Sequence, residues 1–278
     1  MSKLYLVGTP IGNLGDISPR ALEVLSNVDF IAAEDTRVTL KLLNHFEIKK
    51  PLVTYQKFTT NERAIQLVER IAAGESCAIV TDAGMPCISD PGEELVNLCH
   101  NSGISIETVP GPSALITALA ASGLPTGRFT FEGFLSTNAN SRKKHLESLV
   151  NETRTLIFYE APHKLKATLR DMAKYFGENR RVTLCRELTK IHEEFIRTTF
   201  LEAMEIYSEK EPRGEYVLVV EGAEESEEKA ITFDEAIERI KLLCDEGESL
   251  ARASKQVALE TGYKKNELYK EIVKRENN

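Results

Sequence analysis

The stretch IAAEDTR places three charged side chains directly after a short apolar run: Glu34, Asp35 and Arg37. A carboxylate beside a bound substrate can exchange a proton with it or orient a reacting hydroxyl, and an arginine can hold a phosphate through two parallel hydrogen bonds. The same spacing suits the start of a helix, because Asp35 or Thr36 would be a good N-cap. The sequence leaves the catalytic and the capping interpretation equally open.

Three further stretches are rich in glycine and proline: VGTPIGNLGD (7–16), TDAGMPCISDPG (81–92) and VPGPSALITALAASGLP (109–125). Each follows a strand-like apolar run, so parallel strands would bring all three to the carboxyl edge of one sheet, where open α/β sheets bind ligands. Backbone without side chains lets a ligand approach closely. The stretches predict a concave, backbone-lined site, with a ligand against the first turn of the small-residue helix after Pro112.

Other chemistries lack their sequence signatures. The glycines of the first loop, Gly8, Gly12 and Gly15, do not have the spacing of a dinucleotide site, and no Walker lysine follows them. The G-x-S-x-G elbow of hydrolases does not occur. The five histidines are far apart and have no cysteines at ligand spacing, so no metal site is expected.

The elements that must position these residues alternate between strand-like and helical patterns from Lys3 to about Ala121. This alternation is typical of a largely parallel α/β sheet and predicts a first domain at residues 1–121. Residues 122–222 contain five more strand-like runs, several with the alternation of half-buried antiparallel strands, and predict a second α/β domain with a mixed sheet. The join is expected near Ser122–Arg128, where glycine and proline interrupt the chain.

The stretch AEESEEKA (223–230) is acidic and without apolar periodicity, which predicts a linker. Residues 231–278 then predict a small helical module of three amphipathic helices, in which Gly262 supplies a tight turn and Asn266 a candidate helix cap. Two helices joined by a glycine turn suit a helix-turn-helix unit, and a packing appendage explains them equally well. The basic clusters of this module suit either a solvated or a binding surface.

Composition bears on the compartment and the partners of the 278-residue chain. Its five cysteines are odd in number and not closely paired, and its start lacks an extended apolar signal segment, so a cytoplasmic protein is expected. No apolar stretch approaches the roughly 20 residues that cross a bilayer, so no membrane association is expected. The net charge of −8 disfavours a chain coated in nucleic-acid-binding surface, although local basic patches remain compatible with it.

Eight stretches, in order from Leu4 to Gly222, carry a resemblance to a known family: LYLVGTPIGNLGDISPRALEVL, IAAEDTR, TDAGMPCISDPG, VPGPSALITALAASGLP, FEGFL, LIFYEAPHKL, CRELTK and GEYVLVVEG. Together they resemble the tetrapyrrole methylase family, the class III S-adenosylmethionine-dependent methyltransferases. The resemblance implies a two-domain fold with S-adenosylmethionine bound in the cleft between the domains, and a homodimer.

The resemblance also implies which residues bind the cofactor. The matching positions are Pro10, Gly12, Gly84, Met85, Ile88, Ser113, Ala114, Tyr159, Leu188 and Gly214. A methyl sulfonium donor leaves the protein the tasks of orientation and proton removal. We therefore expect Asp35 or Glu34 to orient or deprotonate the acceptor hydroxyl, and Arg37 to hold a neighbouring phosphate.

The first loop, GTPIGNLGD, departs from the family, whose loop is richer in glycine and ends in a Gly-Asp-Pro-type stretch. This departure and the basic C-terminal helices favour the RNA-modifying branch. That branch implies methylation of a cytidine ribose 2′-hydroxyl in the decoding region of 16S rRNA, with the RNA or the small ribosomal subunit as partner. Two alternatives stay open: a corrin or precorrin methyltransferase, and a catalytically silent S-adenosylmethionine-binding regulator.

Overall fold

The computed structural model describes residues 2–56, 61–224 and 232–276. The chain forms two compact units that divide between Ala223 and Glu224. The first unit contains both α/β sheets, and the boundary predicted between residues 121 and 122 stays a prediction. The predicted acidic linker lies outside the described residues except for Ala223 and Glu224. None of the described helices is long and apolar enough to cross a membrane.

The first sheet is parallel throughout and has the strand order β3-β2-β4-β1-β5. Its strands are β1 (Lys3–Val7), β2 (Phe30–Ala33), β3 (Leu52–Thr54), β4 (Cys77–Val80) and β5 (Ser105–Val109). The helices that alternate with them are α1 (Pro19–Asn27), α2 (Thr36–His45), α3 (Asn61–Ala72), α4 (Glu93–Asn101) and α5 (Ala114–Ser122). This confirms the parallel α/β fold predicted for the first half.

Continuous apolar runs explain why the centre of this sheet is buried. Every residue of β2 and β4 is buried, because helices cover both faces. Phe30 and Ile31, adjacent in β2, belong to cores on opposite faces. The start of α1 also follows its sequence, since Ser18 accepts a hydrogen bond from the Ala21 N–H and Pro19 occupies the first turn.

The second sheet is mixed and has the order β6-β7-β10-β8-β9. Its strands are β6 (Phe129–Phe134), β7 (Thr155–Glu160), β8 (Arg181–Arg186), β9 (Glu194–Thr199) and β10 (Tyr216–Val220). Only the β6–β7 pair is parallel among these described strands. The associated helices are α6 (Ala139–Ser148), α7 (Pro162–Phe176) and α8 (Phe200–Glu209). The mixed sheet was predicted correctly.

The alternation of half-buried strands, which was predicted for several runs of this sheet, does not apply to its centre. All five residues of β10 are buried. Tyr216, Leu218 and Val220 face a core shared with α7 and α8, whereas Val217 and Val219 face a second core that contains residues of α5. A helix from the first half therefore covers the second face of this entirely apolar strand.

The second unit contains three helices: α9 (Phe233–Asp245), α10 (Leu250–Thr261) and α11 (Lys265–Glu276). Thr232 and Glu235 form a reciprocal capping box at the start of α9. Gly262 ends α10 with a φ of 76°, as the predicted turn requires. Asn266 lies inside the first turn of α11 and is not its cap, since the helix begins one residue earlier. Apolar side chains such as Ile240, Val257 and Leu268 form a separate small core.

Candidate active site

The carboxyl ends of β1, β4 and β5 carry the three predicted loops, and together with the second sheet they enclose a cavity of about 410 Å³. We call this the main cavity. Seven of the ten predicted cofactor residues line it: Gly84, Met85, Ile88, Ser113, Ala114, Tyr159 and Leu188. Its volume lies in the range of small-molecule sites, about 300–1,000 Å³. The structure thus brings most of the predicted set together from both sheets.

Gly12 and Gly214 do not line the main cavity but pack against the turn that carries Leu188. A Cβ on Gly12 would lie 2.6 Å from Cγ of Lys190, and a Cβ on Gly214 would lie 2.5 Å from the side chain of Glu187. The Cβ on Gly12 would also lie 2.8 Å from the Leu188 carbonyl oxygen, and Gly214 has a φ of 78°, so a side chain is disfavoured at both positions. The two glycines therefore make room for the residue that reaches the cavity. Pro10 lines a different cavity, described below.

Two segments of unusual backbone border the main cavity. Cys87 and Ser89 have φ values of 72° and 67° and flank Ile88, while Glu187 and Thr189 have values of 51° and 65° and flank Leu188. Left-handed conformations cost energy for residues other than glycine, and they concentrate at ligand clamps. Each segment holds an apolar residue at the cavity wall by the same alternating backbone pattern.

The first turn of α5 borders the main cavity through Ser113 and Ala114. Ser113, its N-cap, makes no side-chain capping hydrogen bond, so the helix has no cap of its own. The Tyr159 hydroxyl from the second sheet, whose pKa is raised by burial, lies close to the Leu115 N–H of this turn. A helix N-terminus in this state favours an anionic group of a ligand.

The cavity also has charged residues that the sequence analysis did not select: Asp90, Glu160 and Lys190. Glu160 is only 4% exposed and ends β7. Its carboxylate accepts hydrogen bonds from the Ala161 N–H at 2.8 Å and from the Thr168 hydroxyl. An acidic residue at the end of an otherwise apolar strand was the available signal for Glu160.

The predicted catalytic residues lie at the carboxyl end of β2, outside the main cavity. Asp35 caps α2 by accepting from the Arg37 N–H at 2.8 Å. It also accepts from the Arg37 guanidinium, with Nη2 to Oδ2 at 2.6 Å and Nε to Oδ1 at 3.0 Å. These bonds lower the pKa of Asp35 from 3.8 to about 2. The capping interpretation therefore holds, and the same carboxylate also fixes the 87% exposed Arg37 side chain, whereas the catalytic interpretation stays a prediction.

Asp82, at the end of β4, completes the charged cluster and was not selected from the sequence. Its Oδ1 accepts from the Asp35 N–H at 3.1 Å, and its own N–H donates to Glu34 Oε2 at 3.4 Å. Partial burial, and to a smaller degree the nearby Asp35 charge, raise the pKa of Asp82. Three carboxylates thus meet where two neighbouring strands end.

This cluster borders a second, smaller cavity of about 220 Å³, which we call the side cavity. It is built entirely from the loops and helix of the first sheet: Thr9, Pro10, Leu14, Val38, Thr39, Lys41, Leu42, Thr81 and Asp82. The Thr9 and Gly84 backbones exchange hydrogen bonds of 2.9 and 3.1 Å between the two loops. Consecutive residues of these loops line different cavities, Pro10 and Asp82 the side cavity, Ile11 and Ala83 the main one.

Within the part of the chain that the structure describes, no group of three or more histidine, cysteine, aspartate or glutamate side chains could hold a metal ion. A ligand-sized cleft at the carboxyl edge of a parallel sheet, closed by a second sheet and flanked by charged residues, is the arrangement of an enzyme that binds a small organic co-substrate.

The chain belongs to the tetrapyrrole (corrin/porphyrin) methylase family, which it matches over residues 3–204. A Synechocystis protein named ribosomal RNA small subunit methyltransferase I is 47% identical over 269 residues, 97% of this chain and 96% of the relative. A Thermotoga maritima protein of the same name is 48% identical over 224 residues, 81% of this chain and the whole relative. A uroporphyrin-III-C-methyltransferase structure from Thermus thermophilus shares the fold, with a TM-score of 0.56 at 20% identity over 79% of this chain and 94% of that one.

The family resemblance is thereby confirmed, and the protein is a methyltransferase with S-adenosylmethionine as methyl donor. The main cavity fits this donor. Its uncapped α5 terminus suits the donor's carboxylate, the Asp90 and Glu160 carboxylates suit its positive charge, and the apolar Ile88 and Leu188 suit its uncharged parts. When bound, S-adenosylmethionine supplies an activated methyl group.

Proposed function

We propose that this protein methylates the ribose 2′-hydroxyl of a cytidine in 16S rRNA of the small ribosomal subunit, acting in the cytoplasm. The observation that carries the proposal is the similarity over nearly the whole chain to relatives named ribosomal RNA small subunit methyltransferase I. The acceptor in the decoding region is the finest part of the proposal. It derives from the family resemblance of the sequence.

In this proposal the donor lies in the main cavity, against Gly84, Met85, Ile88, Ser113, Ala114, Tyr159 and Leu188. Gly12 and Gly214 contribute by placing the turn of Leu188, and Pro10 contributes by separating the donor from the acceptor strand. The chain's own tasks are to hold the donor, exclude water from the reacting carbon and bring the hydroxyl into line.

The charged cluster would organise the acceptor. Arg37, held by Asp35 yet largely exposed, is suited to bind an RNA phosphate. A carboxylate with a pKa of about 2 is a weak proton acceptor at neutral pH, so Asp35 is better suited to orient Arg37 than to deprotonate the hydroxyl. Glu34, which contacts the Asp82 backbone, is the better candidate for orienting or deprotonating the hydroxyl.

The direct test is transfer of a radiolabelled methyl group from S-adenosylmethionine to purified small ribosomal subunits from cells that lack the gene. Nuclease digestion then locates the label. Label in 2′-O-methylcytidine supports the proposal. Absence of label on the RNA, despite measurable donor binding, would favour the corrin enzyme or the silent binder.

The second unit is proposed to strengthen binding to RNA without taking part in the transfer. Its described helices carry cations such as Lys265, Lys270 and Lys274. The Thermotoga relative is matched in full by 224 residues of this chain. Deletion of residues 232–278 is expected to leave donor affinity unchanged and to weaken RNA binding about tenfold or more, because each lost phosphate contact removes counterion release. Fluorescence anisotropy with labelled 16S rRNA fragments measures this effect. Unchanged RNA affinity would remove the binding role.

A homodimer is part of the proposal and derives from the family resemblance. The first unit exposes several large apolar side chains, among them Ile65, Ile116 and Ile191. Association would remove some of this apolar surface from water. Light scattering coupled to size-exclusion chromatography measures the mass directly, and a monomer at micromolar concentration contradicts this element.

A further inference from the structure

The side cavity has an apolar wall and an apolar mouth. Leu42 lies in its wall, and Leu14 and Val38, which are 40% and 38% exposed, border it from two different segments. Large apolar side chains that converge on one small cavity while remaining partly solvent-exposed gain free energy when a flat, weakly hydrated group covers them. The volume of about 220 Å³ admits a group of the size of one nucleoside and is too small for a tetrapyrrole macrocycle.

One polar group of this cavity lacks a partner. Thr39 lies in α2, is 3% exposed, and lines the side cavity. Its hydroxyl is buried and has no hydrogen-bond partner among the described residues. Buried hydroxyls are nearly always paired, so an orphan beside a cavity marks a hydrogen bond that a bound molecule would complete.

A second polar group of the side cavity favours one kind of base over another. The Asp82 carboxylate lines the same cavity and uses Oδ1 to accept from the Asp35 N–H. A carboxylate can only accept hydrogen bonds when ionised, so it matches the exocyclic amine of cytosine and opposes the carbonyl that uracil has at the same position. Lys41 at the cavity wall and Arg37 next to Val38 add two cations where the phosphates of a strand would pass.

The position of the cavity relates it to methyl transfer. Its wall is made of the same two loops that wall the main cavity, joined by the reciprocal Thr9–Gly84 hydrogen bonds. The buried Thr9 hydroxyl donates to the Thr81 carbonyl at 3.1 Å and ties the loops again. A nucleotide whose base enters the side cavity therefore keeps its ribose beside the residues that border the donor.

We propose that the side cavity binds the cytosine base of the RNA strand that accepts the methyl group. Asp82 accepts a hydrogen bond from the base amine, the Thr39 hydroxyl pairs with the ring edge, and Leu14, Val38 and Leu42 cover the ring. This inference rests on the proposed function, whose substrate class it deepens. It makes Asp82 and Thr39 the determinants of base preference.

The test compares short oligo(rC) and oligo(rU) of equal length, labelled with fluorescein, in anisotropy titrations of the full chain at one salt concentration. Because the two oligonucleotides carry the same number of phosphates, the contribution of backbone charge to binding cancels in the ratio of the two dissociation constants. The wild type is expected to prefer oligo(rC) about fivefold or more, as one good base contact supplies. Asp82→Asn is expected to bring the ratio close to one. Asp16→Asn, which removes an equal charge from the exposed first loop, is expected to preserve the ratio.

Thr39→Val provides a second variant that separates recognition from folding. Valine has nearly the shape of threonine and removes an unpaired buried hydroxyl, so the melting temperature is expected to stay equal or rise. Affinity for oligo(rC) is nonetheless expected to fall about threefold, because the hydrogen bond to the base is lost.

Three results would overturn the inference: equal affinity of the wild type for the two oligonucleotides, an equal effect of Asp82→Asn and Asp16→Asn on the ratio, or no change of oligo(rC) affinity in Thr39→Val. The methyl-transfer assay on ribosomal subunits distinguishes failure of this inference from failure of the proposed function. Label on the RNA together with any of these results rejects only the side cavity, whereas absence of label rejects the proposed function itself.

Discussion

The main and side cavities share the loops after β1 and β4 but are built by different means. The main cavity depends on backbone: left-handed residues flank Ile88 and Leu188, and glycines make room for the adjoining turn. The side cavity depends on side chains from α2 and two loop ends. Backbone geometry tolerates little change, whereas side chains can be exchanged. This difference agrees with the two proposals above, which assign donor binding to the main cavity and recognition of the base to the side cavity.

The largest effect is expected from Gly111→Ala, which attacks the backbone of the main cavity. A Cβ on Gly111 would lie 2.8–2.9 Å from the Cα, C and O atoms of Gly8. Because these are backbone atoms, the loops after β1 and β5 would have to separate, at about 1–3 kcal/mol of unfolding free energy. We expect donor binding to fall at least a hundredfold by isothermal titration calorimetry, since Ser113 and Ala114 move with this loop.

Gly127→Ala is the matched control for this substitution, because a Cβ there meets nothing within 4 Å and its φ is not positive. It is expected to leave donor affinity unchanged. If Gly111→Ala binds the donor as the wild type does, the main cavity does not depend on close backbone contact, and the comparison fails.

Asp35→Asn tests whether the charged cluster acts on the acceptor and leaves donor binding in the main cavity unchanged. Asparagine caps a helix as well as aspartate does, so α2 should persist while the charge that holds Arg37 is lost. We expect kcat for methyl transfer to fall about a hundredfold through misplacement of the acceptor, with the donor dissociation constant unchanged.

The control for Asp35→Asn is Asp171→Asn, which breaks a comparable pair with Arg142 near the second sheet. It should leave kcat near the wild-type value. Simultaneous loss of donor binding in Asp35→Asn would show that the charged cluster supports the main cavity instead of the acceptor.

A smaller effect is expected from Ile88→Ala, which trims the main cavity without touching its backbone. Ile88 is 44% exposed, so its removal costs little stability. The lost apolar contact should raise the donor dissociation constant about fivefold. Ile191→Ala, at a 97% exposed position outside the cavity, should change neither quantity. An unchanged constant in Ile88→Ala would mean that the donor does not reach this wall.

The smallest effect concerns acid stability. Because the folded pKa of Asp35 is about 2 and its ordinary value is 3.8, this carboxylate contributes stability above pH 4 that is lost as pH falls towards 2. The difference in unfolding free energy between wild type and Asp35→Asn, from urea denaturation, should therefore shrink across this window. A difference that does not vary with pH would contradict the Asp35–Arg37 pairing.

The strands and the three loops could be located from the sequence because buried parallel strands consist of short continuous apolar runs, as in CAIV of β4. The family resemblance supplied the ten predicted cofactor residues, and seven of them line one cavity, although their binding role stays a prediction. Contacts between distant segments could not be located from the sequence. The partner of Asp35 at Asp82 is 47 residues away, and Gly12 owes its role to a turn more than 170 residues later. Nothing local in a sequence encodes such distances.

The packing of α5 on β10 is another contact between distant segments that the sequence does not predict. The sequence YVLVV shows only that both faces of the strand are apolar, and which element covers each face depends on where α5 lies after the chain has folded. The sequence predicts a ligand beside the small residues of α5, and in the structure these residues contact two neighbours. The first turn borders the main cavity, and the Cys185 thiol reaches the Ala118 carbonyl on the body of the helix.

This double use of α5 couples the shape of the main cavity to the second sheet. Arg197 donates to the carbonyls of Ala121 and Ser122, and Thr183 donates to that of Ser122, so the end of the helix is fastened to the second sheet while its start shapes the main cavity. A larger side chain at a buried position of the body, such as Ala118, would therefore disturb both ends at once. Ile88, in a loop and 44% exposed, can be replaced without separating the two sheets.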